Sequence, residues 1–538
     1  MTPKLTRNLL IAALVFGIVA SACGGAAATA EPPVEANVQE EPRYIVEEPA
    51  AEEPMEAEEE YYAPLPSATQ AVGLDIPNDA PYQDNFFDNY GVNPFLDTED
   101  DRLSTFALDV DTGSYTIARR YLSDGYLPDN DSVRVEEFIN YFEQGYDFPP
   151  EGQAFAIHMD GGAAPFTESI NYQMLRVGIQ GYSVLPSERK DVNLTFVIDV
   201  SGSMDLENRL ELVKDALELL VEQLRPSDIV SIVVYGSQAR VVLEPTSGAE
   251  AGTILSAINR LQPEGSTNAE AGLQLGYEMN LRGFNAEGIN RVILCSDGVA
   301  NVGNTGAGSI WETIEARASE GITLTTVGFG MGNYNDVLME QLADNGDGHY
   351  AYVDTLNEAE RLFEDNLTST LQVIAMDAKV QVDFNPAVVS RYRLVGFENR
   401  AIADEDFRDD TVDAGEVGAG HSVTALYEIK LHPEAVGEVA TVYLRWQDPD
   451  TREVIELGEI FFSQDLADNF AETSPYFQWT VLVAEFAEVL RESYWAQSSS
   501  MAAIMEESQR VSRLLDLNPD VLEFVSLVEV ANRLVSAQ

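Results

Sequence analysis

Leu194-Thr195-Phe196-Val197-Ile198-Asp199-Val200-Ser201-Gly202-Ser203 decides the reading of this chain: an apolar run that ends on a carboxylate and two hydroxyls, each set two residues apart. The run reads as a strand of a parallel sheet. Side chains two apart on an extended segment leave the same face. Asp199, Ser201 and Ser203 can therefore converge three oxygens where the strand opens into a loop. Hard divalent cations such as Mg2+ take oxygen ligands of this kind in near-octahedral array. Alone, the motif would also suit a plainer role, with Asp199 and Ser201 capping the next helix.

Two further segments follow in order. Gly265-Ser266-Thr267-Asn268 precedes a helical stretch and brings in another hydroxyl. Arg291-Val292-Ile293-Leu294-Cys295 reads as a buried strand, and Ser296-Asp297-Gly298 ends it with a carboxylate in a turn. Together these resemble the metal-ion-dependent adhesion site of a von Willebrand factor type A domain. The resemblance places Asp199, Ser201, Ser203, Thr267 and Asp297 in the five ligand positions. It implies Mg2+, or else Mn2+ or Ca2+, touched by Ser201, Ser203 and Thr267, with Asp199 and Asp297 acting mostly through water. It also implies a protein partner that supplies a Glu or Asp carboxylate.

Working outward, residues 192–375 alternate strand and helix in the manner of a doubly wound parallel α/β sheet. Leu210, Val213, Leu217, Leu220 and Leu224 fall at helical spacing, and Ile229–Tyr235 is a further strand. In open sheets of this class ligands bind outside the carboxyl ends of the strands, where Asp199 and Asp297 fall. Gly328-Phe329-Gly330-Met331-Gly332 lacks the spacing of a nucleotide-binding loop and reads as a tight strand-to-helix turn. Residues 191–375 are thus expected to form the type A domain.

The 538 residues exceed what one core holds, so two or three domains are expected. Net charge of −60 makes nucleic acid an unsuitable partner. Lys4 and Arg7 flank the short apolar stretch Leu9–Ala20, and Ala20-Ser21-Ala22-Cys23 resembles a bacterial lipobox with Cys23 as the lipidated residue. Residues 1–23 are read as a lipoprotein signal peptide and 24–85 as an acidic Pro/Glu/Ala-rich tether that cannot bury enough surface to order itself. The expected location is the cell envelope, lipid-anchored outside the cytoplasmic membrane. Cys295, the only other cysteine, lies in an apolar strand and reads as an inert buried thiol.

Residues 86–190 read as a small N-terminal α+β domain. Its Asp109-Val110-Asp111-Thr112 also matches the nucleophile motif of haloacid-dehalogenase-like phosphatases, but the chain before Asp199 is too short for that fold. Residues 376–538 read as short alternating strands followed by helices, with Phe524, Leu527, Val528, Ala531 and Leu534 as a core-packing stripe. Asp404–Asp413 reads as a solvated loop, a calcium site being the alternative. Asn333-Tyr334-Asn335-Asp336, Tyr392–Arg400 and Val423–Glu428 resemble the bacterial von Willebrand type A lipoproteins, which carry their own flanking domains. The function expected is a metal-dependent binding module and not an enzyme. The alternatives are a metal-dependent hydrolase, for which His158, His349, His421 and His432 lack a zinc spacing, and an envelope scaffold with an inert site.

Overall fold

The computed structural model describes residues 85–166, 171–206, 209–298, 307–331, 334–515 and 518–537. All of these belong to one of two units of the chain, Pro77–Gln538. Cys23, the signal segment, residues 24–84 and Asn301–Asn304 lie outside the described residues.

The unit opens with β1 (Leu96–Asp97), β2 (Leu103–Ala107), α1 (Gly113–Ser123), α2 (Val135–Asn140), β3 (Phe155–Ala163) and β4 (Tyr172–Gly181). The central segment then runs β5 (Val192–Asp199), α3 (Leu210–Glu222), β6 (Ile229–Tyr235), β7 (Ala239–Ser247), α4 (Ala251–Ile258), α5 (Ala269–Arg282), β8 (Ile289–Ser296), α6 (Ala307–Ser319), β9 (Ile322–Phe329), α7 (Asp336–Asp344) and β10 (Tyr350–Val353). Short helices α8 (Leu356–Glu360) and α9 (Leu367–Leu371) close it. After them come β11 (Val373–Phe384), β12 (Val389–Val395), β13 (Gly415–Gly418), β14 (Ser422–Leu431), β15 (Glu438–Gln447), β16 (Val454–Phe462) and β17 (Leu466–Ala467). The helices α10 (Pro475–Leu490), α11 (Met501–Val511) and α12 (Pro519–Ala537) end the described chain.

The central sheet has the order β10-β9-β8-β5-β6-β7, parallel throughout except for β7, which pairs antiparallel at the edge. Every residue of β5 is buried, as a middle strand covered on both faces requires. Phe196 and Ile198 pack with Val213 and Leu217 of α3 and Ile254 of α4. Val197, on the opposite face, packs with Leu273 of α5, Ile314 of α6 and Leu342 of α7. The two-residue period of the strand thus sorts its side chains into two helical layers. Each such side chain stabilises the sheet by roughly 1.5–3 kcal/mol. The α/β doubly wound class expected from the sequence is the observed one.

The flanks differ from the expected arrangement. Residues 86–190 and 376–538 read as separate regions, yet their strands share sheets. β2 pairs with β11, β1 with β12 and β4 with β14. Phe106, Phe155 and Leu175 from before the central sheet share a core with Val380, Val442 and Trp446 from after it. Phe138 and Phe142 likewise pack with Trp479, Phe486 and Phe524 of the C-terminal helices. The type A sheet is therefore inserted, within this unit, between two flanks that build shared sheets of their own. Periodicity shows that a segment is a strand but not which distant strand it joins, because pairing register is a long-range property.

The stripe on α12 is core: Phe524, Val528 and Ala531 are fully buried. Among the described residues, no helix is long and apolar enough to cross a membrane.

Candidate metal centre

β5 lies between β6 and β8, and successive connections leave it in opposite directions, which makes the gap at its carboxyl end a topological switch point. Asp199 ends β5 fully buried, and Asp297 follows β8 equally buried. Asp199 Oδ1 accepts the Ser201 backbone N–H at 2.7 Å, and its Oδ2 accepts the Ser296 hydroxyl at 3.3 Å. The chain then turns through one short 3-10 segment, Gly202–Asp205, which sets the Ser201 and Ser203 hydroxyls 3.0 Å apart and bonded to each other.

Two backbone bonds tie this loop to the next. Gly202 N donates to Gly265 O at 3.2 Å, and Glu264 N donates to Val200 O at 2.5 Å. Gly265 has φ +77°, and a Cβ there would meet Ser237 Oγ at 2.3 Å, so the close approach needs glycine. Thr267 sits half-buried one residue before Asn268, whose side chain caps α5 by accepting from Ala271 N. On the third side Gly298, also at φ +77°, turns the chain against Asn335, where a Cβ would come within 2.6 Å of the Asn335 nitrogen. The structure thus gathers the segments that carry Asp199, Ser201, Ser203, Thr267 and Asp297 at one end of the sheet.

Arg209 is the residue that the sequence reading missed. It immediately precedes α3, is 3% exposed, and its guanidinium pairs with Asp297 Oδ2. The same group donates to Ser203 O at 3.2 Å and to Met331 O at 2.7 Å, clasping three loops. A signal was present: a cation at a helix start opposes the helix dipole, where an acid or hydroxyl is the favoured choice. An arginine there has some other task.

Burial first, and the charge of Asp297 second, push the Asp199 carboxyl up to about 7, against the hydrogen bonds from Ser201 and Ser296. Tyr235, opposite Asp199 in the sheet register, keeps its hydroxyl protonated because burial and then the Asp199 charge raise it. Two repelling carboxylates and paired serine hydroxyls make an oxygen-only donor set, which suits a hard divalent cation and not a soft one.

A second group of acids stands at the amino end of β10, opposite the Asp199 end of the sheet. Oxygens of Asp347, Asp413 and Glu416 lie within 4.8 Å of one another. The neighbouring stretch expected to be a solvated loop contains a 3-10 turn, Asp404–Arg408, with Arg408 paired to Glu456 and Asp410 to Arg445. Cys295 is buried, and burial raises its thiol to about 12, so it is inert as expected.

Family models match three stretches of the chain. "von Willebrand factor" covers residues 81–175, "von Willebrand factor type A domain" covers 193–365, and "Uncharacterized protein YfbK, C-terminal" covers 369–437 and 430–534. "Uncharacterized protein YfbK" of Escherichia coli (strain K12) is 35% identical over 489 residues, spanning 86% of this chain and 83% of its own length. The protein sll0103 of Synechocystis sp. (strain ATCC 27184 / PCC 6803 / Kazusa) is 28% identical over 206 residues, 38% of this chain and 47% of its own. Among solved structures, a von Willebrand factor type A protein from Catenulispora acidiphila aligns over 69% of this chain and 89% of its own at 14% identity, with a TM-score of 0.42. On the length and identity of the Escherichia coli match, the chain belongs to the YfbK family of proteins, which carry a von Willebrand factor type A domain between flanking segments of their own.

Proposed function

We propose that this chain is an envelope-anchored binding protein whose type A domain uses a divalent cation to capture an acidic side chain of a protein partner. Type A domains are typically interaction modules and not enzymes, and the matched model places one at residues 193–365. The finer reading is supported chiefly by one observation: the Ser201 and Ser203 hydroxyls meet 3.0 Å apart beside two buried carboxylates that repel each other. Ser201, Ser203 and Thr267 would hold the ion directly, and Asp199 and Asp297 through water, as the resemblance implies. Held mainly by neutral hydroxyls, the ion supplies a Lewis-acidic position that accepts a carboxylate. The chain's own groups do the rest. Asp199 fixes the Ser201 backbone, Ser296 orients Asp199, and Arg209 sets the distance between Asp297 and the Ser203 loop.

Mg2+ is the cation proposed, with Mn2+ and Ca2+ as alternatives. The anchor proposed is a lipid on Cys23, holding the protein outside the cytoplasmic membrane; a Cys23→Ser protein that still took up labelled fatty acid would refute it. The hydrolase alternative needs a base beside the ion. His349 instead stands at the amino end of β10, and His158 and His432 are held by the carbonyls of Asp147 and Pro386. A second reading is favoured by Arg209, whose guanidinium already neutralises Asp297: a metal-free scaffold in which the pair is structural. Pull-down from envelope extract with Mg2+ and with chelator separates the two. Partners lost on chelation support adhesion, and partners retained equally support the scaffold.

A further inference from the structure

An isolated parallel bridge, Phe86 to Asn335, joins the chain ahead of β1 to the loop between β9 and α7. Phe86 N donates to Tyr334 O at 2.7 Å, and Asp336 N donates to Phe86 O at 3.3 Å. Asn85 adds two side-chain bonds. Its Oδ1 accepts the Tyr334 N–H at 3.1 Å, and its Nδ2 donates to the Tyr121 hydroxyl of α1 at 2.6 Å. Phe87 packs at the edge of the core that holds Tyr334. The Phe86 ring is 43% exposed, so its backbone makes the grip and its side chain does not.

Tyr334, the residue so gripped, is the prop behind the metal centre. It is fully buried and wedged between the ends of β8 and β9. A Cβ at Gly298 would meet Tyr334 Cδ2 at 2.6 Å, and one at Gly328 would overlap the Tyr334 hydroxyl. That hydroxyl bonds the Tyr350 hydroxyl at 2.8 Å, which donates to Asp336 Oδ1 at 2.7 Å. Gly298 in turn leads the chain away from Asp297. Its N–H donates at 3.2 Å to Ser296 Oγ, the hydroxyl that orients Asp199. Contacts therefore run without a break from Phe86 through Tyr334 and Gly298 to the segments that carry both carboxylates. A single bridge with an exposed ring opens locally at far less cost than unfolding.

We propose that Asn85–Phe87 is a clip whose docking positions Asp297 and Ser296 and so sets the cation affinity of the site. This regulation rests on the metal-binding role proposed for the same site. Docked, the clip holds Tyr334 against Gly298, and the turn after Asp297 has no room to swing outward. Released, the clip leaves Tyr334 without those backbone bonds, the turn loosens, and the carboxylates lose the spacing that a divalent cation needs. The coupling is reciprocal: a cation that binds the docked form better holds the clip down by the same factor. Residues 24–84, read from the sequence as a tether, lead covalently into this clip. Occupancy of the site thereby bears on the segment that leads to the proposed anchor.

Two measurements on the purified full-length protein test the clip. Calorimetry compares Mg2+ binding by the unmodified chain, Phe86→Pro and Phe86→Ala. Phe86→Pro removes the N–H that bonds Tyr334 O and should weaken Mg2+ binding about fivefold or more, the lower end of an ordinary coupling. Phe86→Ala keeps that bond, trims only the exposed ring, and should bind as the unmodified chain does. Thermal melts of the metal-free proteins confirm that both variants fold. Hydrogen exchange read by mass spectrometry needs no substitution. The peptide spanning Asn85–Phe87 should exchange about fivefold more slowly in saturating Mg2+ than in chelator. Undiminished affinity in Phe86→Pro, equal weakening in Phe86→Ala, or equal exchange with and without Mg2+ would each overturn the clip and leave the metal site standing. No Mg2+ uptake by the unmodified chain would overturn both.

Discussion

Two acid-led turns in this molecule look alike in sequence and behave differently in space. Asp109-Val110-Asp111-Thr112 follows β2, and Asp199-Val200-Ser201-Gly202-Ser203 follows β5; both bury their carboxylates. In the first, the chain itself satisfies the acids. Arg400 pairs with Asp109 at 3.0 Å, Asp109 accepts the Asp111 backbone N–H at 2.8 Å, and Asp111 accepts the Tyr350 backbone N–H at 3.0 Å. Arg400 reaches Glu340 and Asp344 at 3.0 Å as well, so one guanidinium joins the flanking unit to the type A domain. In the second turn, Ser201 and Ser203 bond each other, and Arg209 pairs with Asp297 but leaves Asp199 to backbone and hydroxyl donors. What separates the structural joint from the candidate ligand site is how far the protein's own cation reaches, one arginine serving both acids of the first turn and one carboxylate of the second, and the motif does not state that.

Four substitutions would break or sharpen that contrast. The largest effect is expected from Arg400→Met, which strips four buried or half-buried carboxylates of their shared partner. Urea unfolding should show a loss of about 3–5 kcal/mol, the scale for breaking a buried ion pair from one side. A loss under about 1 kcal/mol would show that the junction is held by something else. Mg2+ affinity, by contrast, should be unchanged in the folded fraction.

Asp199→Asn is expected to do the opposite. Calorimetry should show Mg2+ affinity reduced about tenfold or more, because a ligand-orienting charge is gone. Metal-free stability should hold or rise, since burial and Asp297 already oppose that charge. Metal-free destabilisation beyond about 1 kcal/mol would place Asp199 with Asp109 as a structural acid.

A smaller effect is expected at Arg209, which competes with any cation for Asp297. Arg209→Met should tighten Mg2+ binding about fivefold, equivalent to roughly 1 kcal/mol. Weaker binding would mean that Arg209 chiefly positions the loops.

The smallest effect is a pH dependence on the joint side of the comparison. Burial, and then the charge of Glu398, raise Glu136 from 4.5 to about 7, while its Oε2 accepts the Phe397 N–H. The folded protein therefore holds a proton there that the unfolded chain releases near 4.5. More protons bound in the folded state means stability falls as pH rises from about 4.5 to about 7. Thermal melts across that window should slope downward, and Glu136→Gln should flatten the slope. An unchanged slope in the variant would assign the effect to other groups.

The contrast also marks what could be read in the sequence. The central sheet was legible because local rules fix it: β5 and β8 each carry an unbroken apolar run, Phe196–Ile198 and Val292–Cys295, and Leu210 to Leu220 keep helical spacing into α3. The order Asp199, Thr267, Asp297 was legible because each stands at a strand end or before a helix. Strand exchange between the flanks was not, since β2 meets β11 across more than the whole type A domain. Arg209 and Arg400 were missed for a related reason. A long guanidinium chooses its carboxylates in three dimensions, and sequence spacing carries no trace of that choice. The acids Asp347, Asp413 and Glu416 come together only because the inserted domain rests on the β13 strand region.

Calorimetric titration of Mg2+ into the purified, metal-stripped protein tests the central claim most directly. The account predicts saturable uptake at one site, lost in Asp199→Ala and retained in Asp109→Asn. Failure of Mg2+, Mn2+ and Ca2+ alike to bind would contradict it and leave Arg209–Asp297 as a structural pair in an interaction fold that works without metal.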